Sequence, residues 1–80
     1  MSKSIQEAIA ALEELNGDAS LPKNVKQKLI KILTGLKGKT ISNLEVSKAL
    51  HEIEEITEDT NLQSYTRMQL FNVVSLLEAA

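Results

Sequence analysis

The apolar residues of this 80-residue chain recur every three or four positions, which is the spacing of one face of an α-helix. Four such segments are present, and the chain has no useful run that alternates between apolar and polar residues as a half-buried strand does. The pattern predicts helices near residues 4–16, 21–37, 43–57 and 62–79. Because the connections are short, we expect consecutive helices to be antiparallel neighbours in an all-α four-helix bundle.

The chain also repeats itself at an offset of 41 residues, so that residues 5–36 align with residues 46–77. A unit of roughly forty residues that holds two helices is typical of helical repeats. The identical pairs are Ala8/Ala49, Glu13/Glu54, Glu14/Glu55, Asp18/Asp59, Leu21/Leu62, Leu29/Leu70 and Leu36/Leu77. We therefore predict two similar helical hairpins, residues 4–37 and 43–79, that cover each other within a single domain of residues 1–80.

Residues at the predicted helix ends suit their positions. Ser42 is followed three residues later by a glutamate, as in a capping box. Ser20 and Asn61 are aligned in the repeat, and both residue types suit the N-cap of the helix that follows. Glycines stand just past the first and second periodic segments, where a helix commonly stops.

An aspartate recurs in the turn of each hairpin, at Asp18 and Asp59. Carboxylates are stabilising near the N-terminus of a helix, where backbone N–H groups lack partners. We expect these residues to have a structural role in the turn. In the second hairpin, Asp59 is predicted to cap the backbone amides that begin the fourth helix or to pair with Arg67.

Parts of both hairpins resemble a known family. The motif LEEL from residue 12, with the aspartate and the PKNV that follow it, and the motif EI with Asp59, Asn61, TR and a later LE resemble a family of short archaeal proteins that has no assigned activity. This resemblance implies a cytosolic four-helix protein, and Lys26 stands where arginine is common in that family. More loosely, the hairpins resemble HEAT-class repeats, which pair an aspartate in the turn with a basic residue in the second helix.

Charge is unevenly distributed, although the formal net charge is only −2. The segment from Ala19 to Leu44 holds six lysines and no acidic residue. The second helix is therefore expected to have a basic face, formed by Lys23, Lys28, Lys31 and Lys37. These lysines either attract the acidic faces of neighbouring helices or contact the phosphates of a nucleic acid. The intramolecular role is favoured, because the helix has no arginine and the chain has only two aromatic residues to read or stack on bases.

Residues for catalysis or metal binding are scarce. The absence of cysteine excludes a disulfide and a thiolate metal site, and His51 is the only histidine. His51 and Glu55 lie one helical turn apart, but these two residues alone are too few to fill the coordination sphere of a structural zinc ion. We therefore expect a protein that is not an enzyme and has no cofactor or metal site.

Two segments bear on localisation. Glu7 interrupts the N-terminal segment where a signal peptide needs an apolar core, and the apolar run 68–77 is about half as long as a membrane span requires. A cytoplasmic protein that does not enter the membrane is expected.

The fourth helix breaks the repeat. Tyr65, Met68 and Leu76 replace polar or small residues of the second helix, so apolar residues extend over much of the circumference of the fourth. A helix with such a surface is either central in a fold or covered by a partner. We predict a non-catalytic interaction module of unknown process that forms a homo-oligomer, or binds a protein partner, through Tyr65, Met68 and Leu76. The alternative is a nucleic-acid-associated protein that uses the lysine-rich second helix.

Overall fold

The computed structural model describes residues 3–38 and 42–79. The described helices are α1 (Lys3–Asn16), α2 (Lys23–Leu36), α3 (Asn43–Thr57) and α4 (Ser64–Glu78). Both α1 and α3 pack against α2 and α4, so the four helices form a closed ring around one core. The prediction of an all-α four-helix bundle is confirmed, and the described residues include no strand.

The buried core repeats at the same offset as the sequence. Eight aligned pairs are buried in both hairpins: Ala8/Ala49, Leu12/Ile53, Leu15/Ile56, Leu21/Leu62, Val25/Thr66, Leu29/Leu70, Ile32/Val73 and Leu36/Leu77. Each hairpin carries its apolar residues on one face, and packing the two faces together removes both from water at roughly 25 cal/mol per Å². Because the hairpin is duplicated, each hairpin has an apolar face that packs against the matching face of the other.

The turns within the two hairpins share one hydrogen-bonding pattern. The Oδ1 atom of Asp18 accepts the backbone N–H of Ser20 at 2.9 Å, and the Oδ1 atom of Asp59 accepts that of Asn61 at 2.9 Å. An aspartate that binds the backbone N–H two residues further on forms an Asx turn. The recurrence of aspartate at the offset of 41 therefore corresponds to one turn built twice.

Ser20 and Asn61 lie within these turns, two residues before the N-cap positions of α2 and α4, so they are not N-caps. The expected starts of α2 and α4, near residues 21 and 62, were two residues early. Pro22 (φ −58°, ψ 147°) and Gln63 (φ −66°, ψ 148°) precede the two helices instead, and neither caps through its side chain. Ser42 does cap α3, since its hydroxyl accepts a backbone N–H of the first turn at 3.4 Å.

Gly17 follows α1 as the sequence predicts, but it does not adopt the left-handed conformation for which helices commonly use glycine. Its aligned residue, Glu58, ends α3 with φ −80° and ψ −10°. The backbone N–H of each donates to the carbonyl three residues earlier at 3.2 Å. The end of the first helix of a hairpin thus has the same form with or without glycine.

The two hairpins meet along two helix pairs, α1 with α4 and α2 with α3, and these two contacts differ in how closely the side chains pack. Leu76 of α4 is partly buried against the core, and the contact of α4 with α1 is the most extensive in the bundle. The aligned position in α2 is Gly35, beside an open groove of about 220 Å³ between α2 and α3. A Cβ atom at Gly35 would lie 3.3 Å from Oε2 of Glu45. The contact between α1 and α4 is therefore packed more closely than the contact between α2 and α3.

Candidate functional site

The outer surface of α4 carries three large apolar side chains that the bundle does not cover. Tyr65 is 64% exposed, Met68 is 70% exposed and Phe71 is 52% exposed. They lie on the side of α4 away from its buried residues, which are Thr66, Leu70, Val73 and Leu77. We call Tyr65, Met68 and Phe71 the α4 face.

Leu76 was expected on this surface, and the structure corrects that prediction. Its side chain is partly buried and packs against the core, because position 76 lies about 80° around the helix from Met68 at 100° per residue. Phe71 joins the exposed surface instead. The sequence contains the signal for it, since residues 65, 68 and 71 follow one another at intervals of three.

The α4 face is free of charged side chains. Between Ser64 and Leu77 the only charged residue is Arg67, and its guanidinium is engaged within the chain. The Nε atom donates to the carbonyl of Thr57 at 3.0 Å, and Nη2 donates to the carbonyl of Asp59 at 2.9 Å. Arg67 thus joins the end of α3 and the turn to the first residues of α4. It contacts the backbone carbonyl of Asp59, whereas the Asp59 carboxylate accepts from Asn61.

The corresponding surface of α2 differs in polarity. The residues aligned with the α4 face are Asn24, Gln27 and Ile30, and only Ile30 is apolar and exposed, at 51%. Lysines surround these positions. The two helices that the repeat makes equivalent therefore present one polar and one apolar outer surface.

Two lysines of the predicted basic face form ion pairs with the neighbouring acidic helices. Lys31 Nζ lies 3.2 Å from Oε1 of Glu52 on α3, and Lys37 Nζ pairs with Glu13 on α1. Lys23 and Lys28 are exposed on the same helix. These pairs are largely exposed to solvent, and such contacts contribute on the order of 0.2–1 kcal/mol each. Part of the basic face is therefore used inside the chain.

The Asx turn of the first hairpin shifts an acid–base equilibrium. The backbone N–H of Ser20 holds the pKa of Asp18 below its ordinary value, and the Ser20 hydroxyl, 2.7 Å from Oδ1, and the nearby charge of Lys26 act in the same direction. The carboxylate of Asp18 is thus an ionised part of the turn at neutral pH.

Three of the open grooves in the described part of the chain follow the contacts between helices. The largest of these three, about 320 Å³, lies between α1 and α2 and is lined in part by Asn16, whose buried Oδ1 has no hydrogen-bond partner among the described residues. A groove of about 170 Å³ lies beside Tyr65, between α1 and α4. His51 lines none of the three and instead contacts Glu55 Oε1 at 3.0 Å. Residues 3–38 and 42–79 contain no group of three histidine, aspartate or glutamate side chains that could hold a metal ion.

These features define the class: an all-α bundle of two similar helical hairpins with an apolar outer face on its last helix. In the described part of the chain, no helix combines the length and the apolar character needed to cross a membrane. The chain belongs to UPF0147, an uncharacterised protein family, whose model matches residues 1–80.

Relatives in this family come from several archaea, and one of them has a solved structure with the same fold. A UPF0147 protein of Sulfurisphaera tokodaii is 32% identical over 75 residues, which are 92% of this chain and 84% of the relative. A UPF0147 protein of Archaeoglobus fulgidus is 29% identical over 76 residues, covering 95% and 87%. The crystal structure of a UPF0147 protein from Thermoplasma acidophilum matches with a TM-score of 0.86 at 27% identity, covering 95% and 91%. The family resemblance expected from the sequence is confirmed, and the family has no assigned activity.

Proposed function

We propose that this protein is a non-catalytic, cytoplasmic interaction module that forms a homodimer through the α4 face. The observation that carries the proposal is the exposure of Tyr65, Met68 and Phe71 on one side of a single helix. Scattered exposed apolar residues are ordinary on protein surfaces, whereas a cluster of large ones usually marks an interaction site. Tyrosine, phenylalanine and methionine are also enriched at protein–protein interfaces.

The lack of charge on this face supports a second copy of the same chain as the partner. A twofold interface brings each surface patch against the matching patch of the other protomer, so a charge near the axis meets its like. The α4 face avoids this penalty, because Arg67 is held by backbone carbonyls of its own chain. The gain for an 80-residue domain is considerable, since a core of this size leaves a stability of only about 3–5 kcal/mol.

Nucleic-acid binding through α2 remains the alternative. Lys23 and Lys28 are the exposed lysines that favour it, but Lys31 and Lys37 form ion pairs with Glu52 and Glu13. Binding by phosphate contacts would weaken steeply with salt, with a slope close to 0.9 per phosphate neutralised on a double-stranded DNA. Two observations together would favour this alternative over the homodimer. The protein would be retained on duplex DNA less strongly as the salt concentration rises, and it would sediment as a monomer.

The test uses a matched pair of variants that the repeat provides. Met68→Glu places a charge on the α4 face, and Gln27→Glu places the same charge at the aligned position of α2. Analytical ultracentrifugation at micromolar concentration should show a wild-type dimer and a dimer of Gln27→Glu. For Met68→Glu, we expect the dissociation constant to rise by on the order of a hundredfold or more, because an unpaired charge is costly to bury.

Far-UV circular dichroism serves as the control for folding. Because Met68 is 70% exposed, Met68→Glu should retain the helical spectrum of the wild-type protein. A wild-type chain that sediments as a monomer at tens of micromolar, or a Gln27→Glu variant that dissociates as readily as Met68→Glu, would contradict the proposal.

A further inference from the structure

Asn16 and Gly17 form the only asparagine–glycine pair in the chain, at the point where α1 ends. Asparagine is a thermolabile residue type, because the backbone nitrogen of the next residue can attack its side-chain amide carbon. Glycine permits this attack most readily, since it has no Cβ atom to hinder the approach and adopts a wide range of backbone angles. The end of α1 therefore carries the dipeptide of this chain that is best suited to spontaneous deamidation.

The conformation of the turn does not require this pair. Asparagine followed by glycine is favoured in turns where both residues have a positive φ, and no residue that the structure describes has one. The aligned pair, Thr57 and Glu58, ends α3 with the same hydrogen bond, from the N–H of the second residue to the carbonyl three residues earlier. The turn can therefore be built without the reactive pair, as the second hairpin shows.

The folded chain restrains both reacting groups. The backbone N–H of Gly17 donates to the carbonyls of Glu13 and Glu14, each at 3.2 Å. Attack requires this N–H to lose its proton, as amide hydrogen exchange does, and a hydrogen-bonded N–H becomes available only when the structure opens locally. The Oδ1 atom of Asn16 is also buried, in a side chain that lines the groove between α1 and α2. The reaction must therefore wait until the end of α1 opens.

We infer that Asn16 is a site of spontaneous covalent modification, which reacts when the turn of the first hairpin opens and is protected while the turn is closed. The nitrogen of Gly17 forms a bond to Cγ of Asn16, and the bond from Cγ to Nδ2 breaks. The Nδ2 amide group leaves as ammonia with the proton from the Gly17 N–H, and a succinimide ring remains. One water molecule then opens the ring at either carbonyl, which gives aspartate or isoaspartate. No oxidant or reductant takes part.

Both products disfavour the closed turn. Aspartate adds a negative charge at the C-terminal end of α1, where the helix dipole favours cations, and Glu13 already lines the same groove. Isoaspartate adds one carbon to the backbone between α1 and the turn. That insertion disrupts the register of the hydrogen bond from the Asp18 N–H to the Leu15 carbonyl, which measures 3.0 Å. The reaction therefore marks chains whose first hairpin has opened and makes the closed turn harder to re-form.

Peptide mapping by mass spectrometry tests the site on the full chain. Wild-type protein is incubated in buffer and in a urea concentration that unfolds it, and conversion at residue 16 is followed over time. We expect conversion in the unfolded chain to be about tenfold or more faster, because local openings range in free energy up to that of global unfolding. Exchange of the Gly17 amide hydrogen, followed by NMR, should be slowed in the folded protein to a similar extent.

Two controls separate reactivity from structure. Asn24 lies in the same hairpin but precedes a valine, so it should remain largely unmodified in the same unfolded sample. Gly17→Ala should suppress conversion at Asn16 while keeping the fold, since an added Cβ would lie 3.4 Å from the Glu14 carbonyl oxygen, which is an ordinary contact. Circular dichroism should show the helical spectrum of the wild type for this variant.

Each part of the inference has an outcome that overturns it. If Asn16 in the unfolded chain converts no faster than Asn24, it is not a reactive site. If folded and unfolded wild-type protein convert at the same rate, the fold does not protect Asn16. Asn16→Asp and the purified isoaspartate form should both unfold at a lower urea concentration than the wild type. Unchanged urea midpoints for both would refute the proposed effect on the turn.

Discussion

Replacing Arg67 with methionine is expected to destabilise the protein by about 1–3 kcal/mol, because two partly buried hydrogen bonds are lost at about 0.5–1.5 kcal/mol each. The guanidinium donates to the carbonyls of Thr57 and Asp59 at 3.0 and 2.9 Å. Thr57 is the last residue of α3, where carbonyls lack partners within the helix and the helix dipole favours a cation. Methionine keeps much of the apolar stem and removes both donors.

The first hairpin supplies the reciprocal experiment. Lys26 is aligned with Arg67, and its turn has the same backbone hydrogen bonds as the turn of the second hairpin. A lysine cannot donate to two carbonyls in the fixed fork of a guanidinium. We therefore expect Arg67→Lys to cost about 0.5–1.5 kcal/mol, and Lys26→Arg to stabilise the protein by up to about 1 kcal/mol by bonding to the carbonyls of Asn16 and Asp18.

Urea unfolding followed by circular dichroism at 222 nm measures these changes. All variants should be compared at one protein concentration, because the proposed self-association would add a concentration-dependent contribution to the apparent stability. For a chain of this length, a change of 1 kcal/mol shifts the melting temperature by about 4–8 °C. If Arg67→Met and Arg67→Lys both unfold at the wild-type urea midpoint, the two hydrogen bonds contribute nothing measurable and the reasoning is refuted.

Two further predictions concern the turns. Gln63→Pro should stabilise the protein by about 0.4–1 kcal/mol, measured by urea unfolding, because Gln63 already has the backbone conformation of the aligned Pro22 and proline restricts the unfolded chain; a destabilised variant would show that the proline ring clashes or that the Gln63 amide is needed. The pKa of Asp18 is lowered in the folded state, so the stability contributed by its charge is present above the unfolded pKa of about 3.9 and is lost as the pH falls through the folded value. Asp18→Asn should accordingly be less stable than the wild type near pH 7 and approach it below pH 3, and a difference that does not depend on pH would contradict this.

The number and order of the helices could be predicted because the same spacing occurs twice. Leu12 and Ile53, or Leu29 and Leu70, occupy equivalent core positions, and each makes the assignment of the other more secure. The starts of α2 and α4 were less predictable. An aspartate that binds the amide of Ser20 or Asn61 delays the helix by two residues, and a local pattern of residue types does not distinguish that turn from an N-cap.

The candidate site was predicted in part for a related reason. Alignment of the two hairpins singled out every position where α4 is more apolar than α2, which includes Leu76 as well as Tyr65 and Met68. It passed over Phe71, because the aligned Ile30 is also apolar. Whether such a residue turns inward or outward depends on its angle around the helix relative to the core, and the buried positions of α4 determine that angle.

Duplication of a hairpin creates a difficulty that the charges of α2 resolve. Two identical hairpins in one bundle would present two identical outer helices. A chain with two equivalent self-associating surfaces can bind one further copy at each of them and therefore assembles into open-ended polymers. A single self-complementary face instead closes after two copies. The polar α2 surface, with Lys31 at the position that Asn72 occupies in α4, meets its own copy unfavourably, whereas the α4 face is uncharged. If the α4 face pairs as proposed, the difference between the two halves is what limits assembly to a dimer, and the similarity between them is what closes the core.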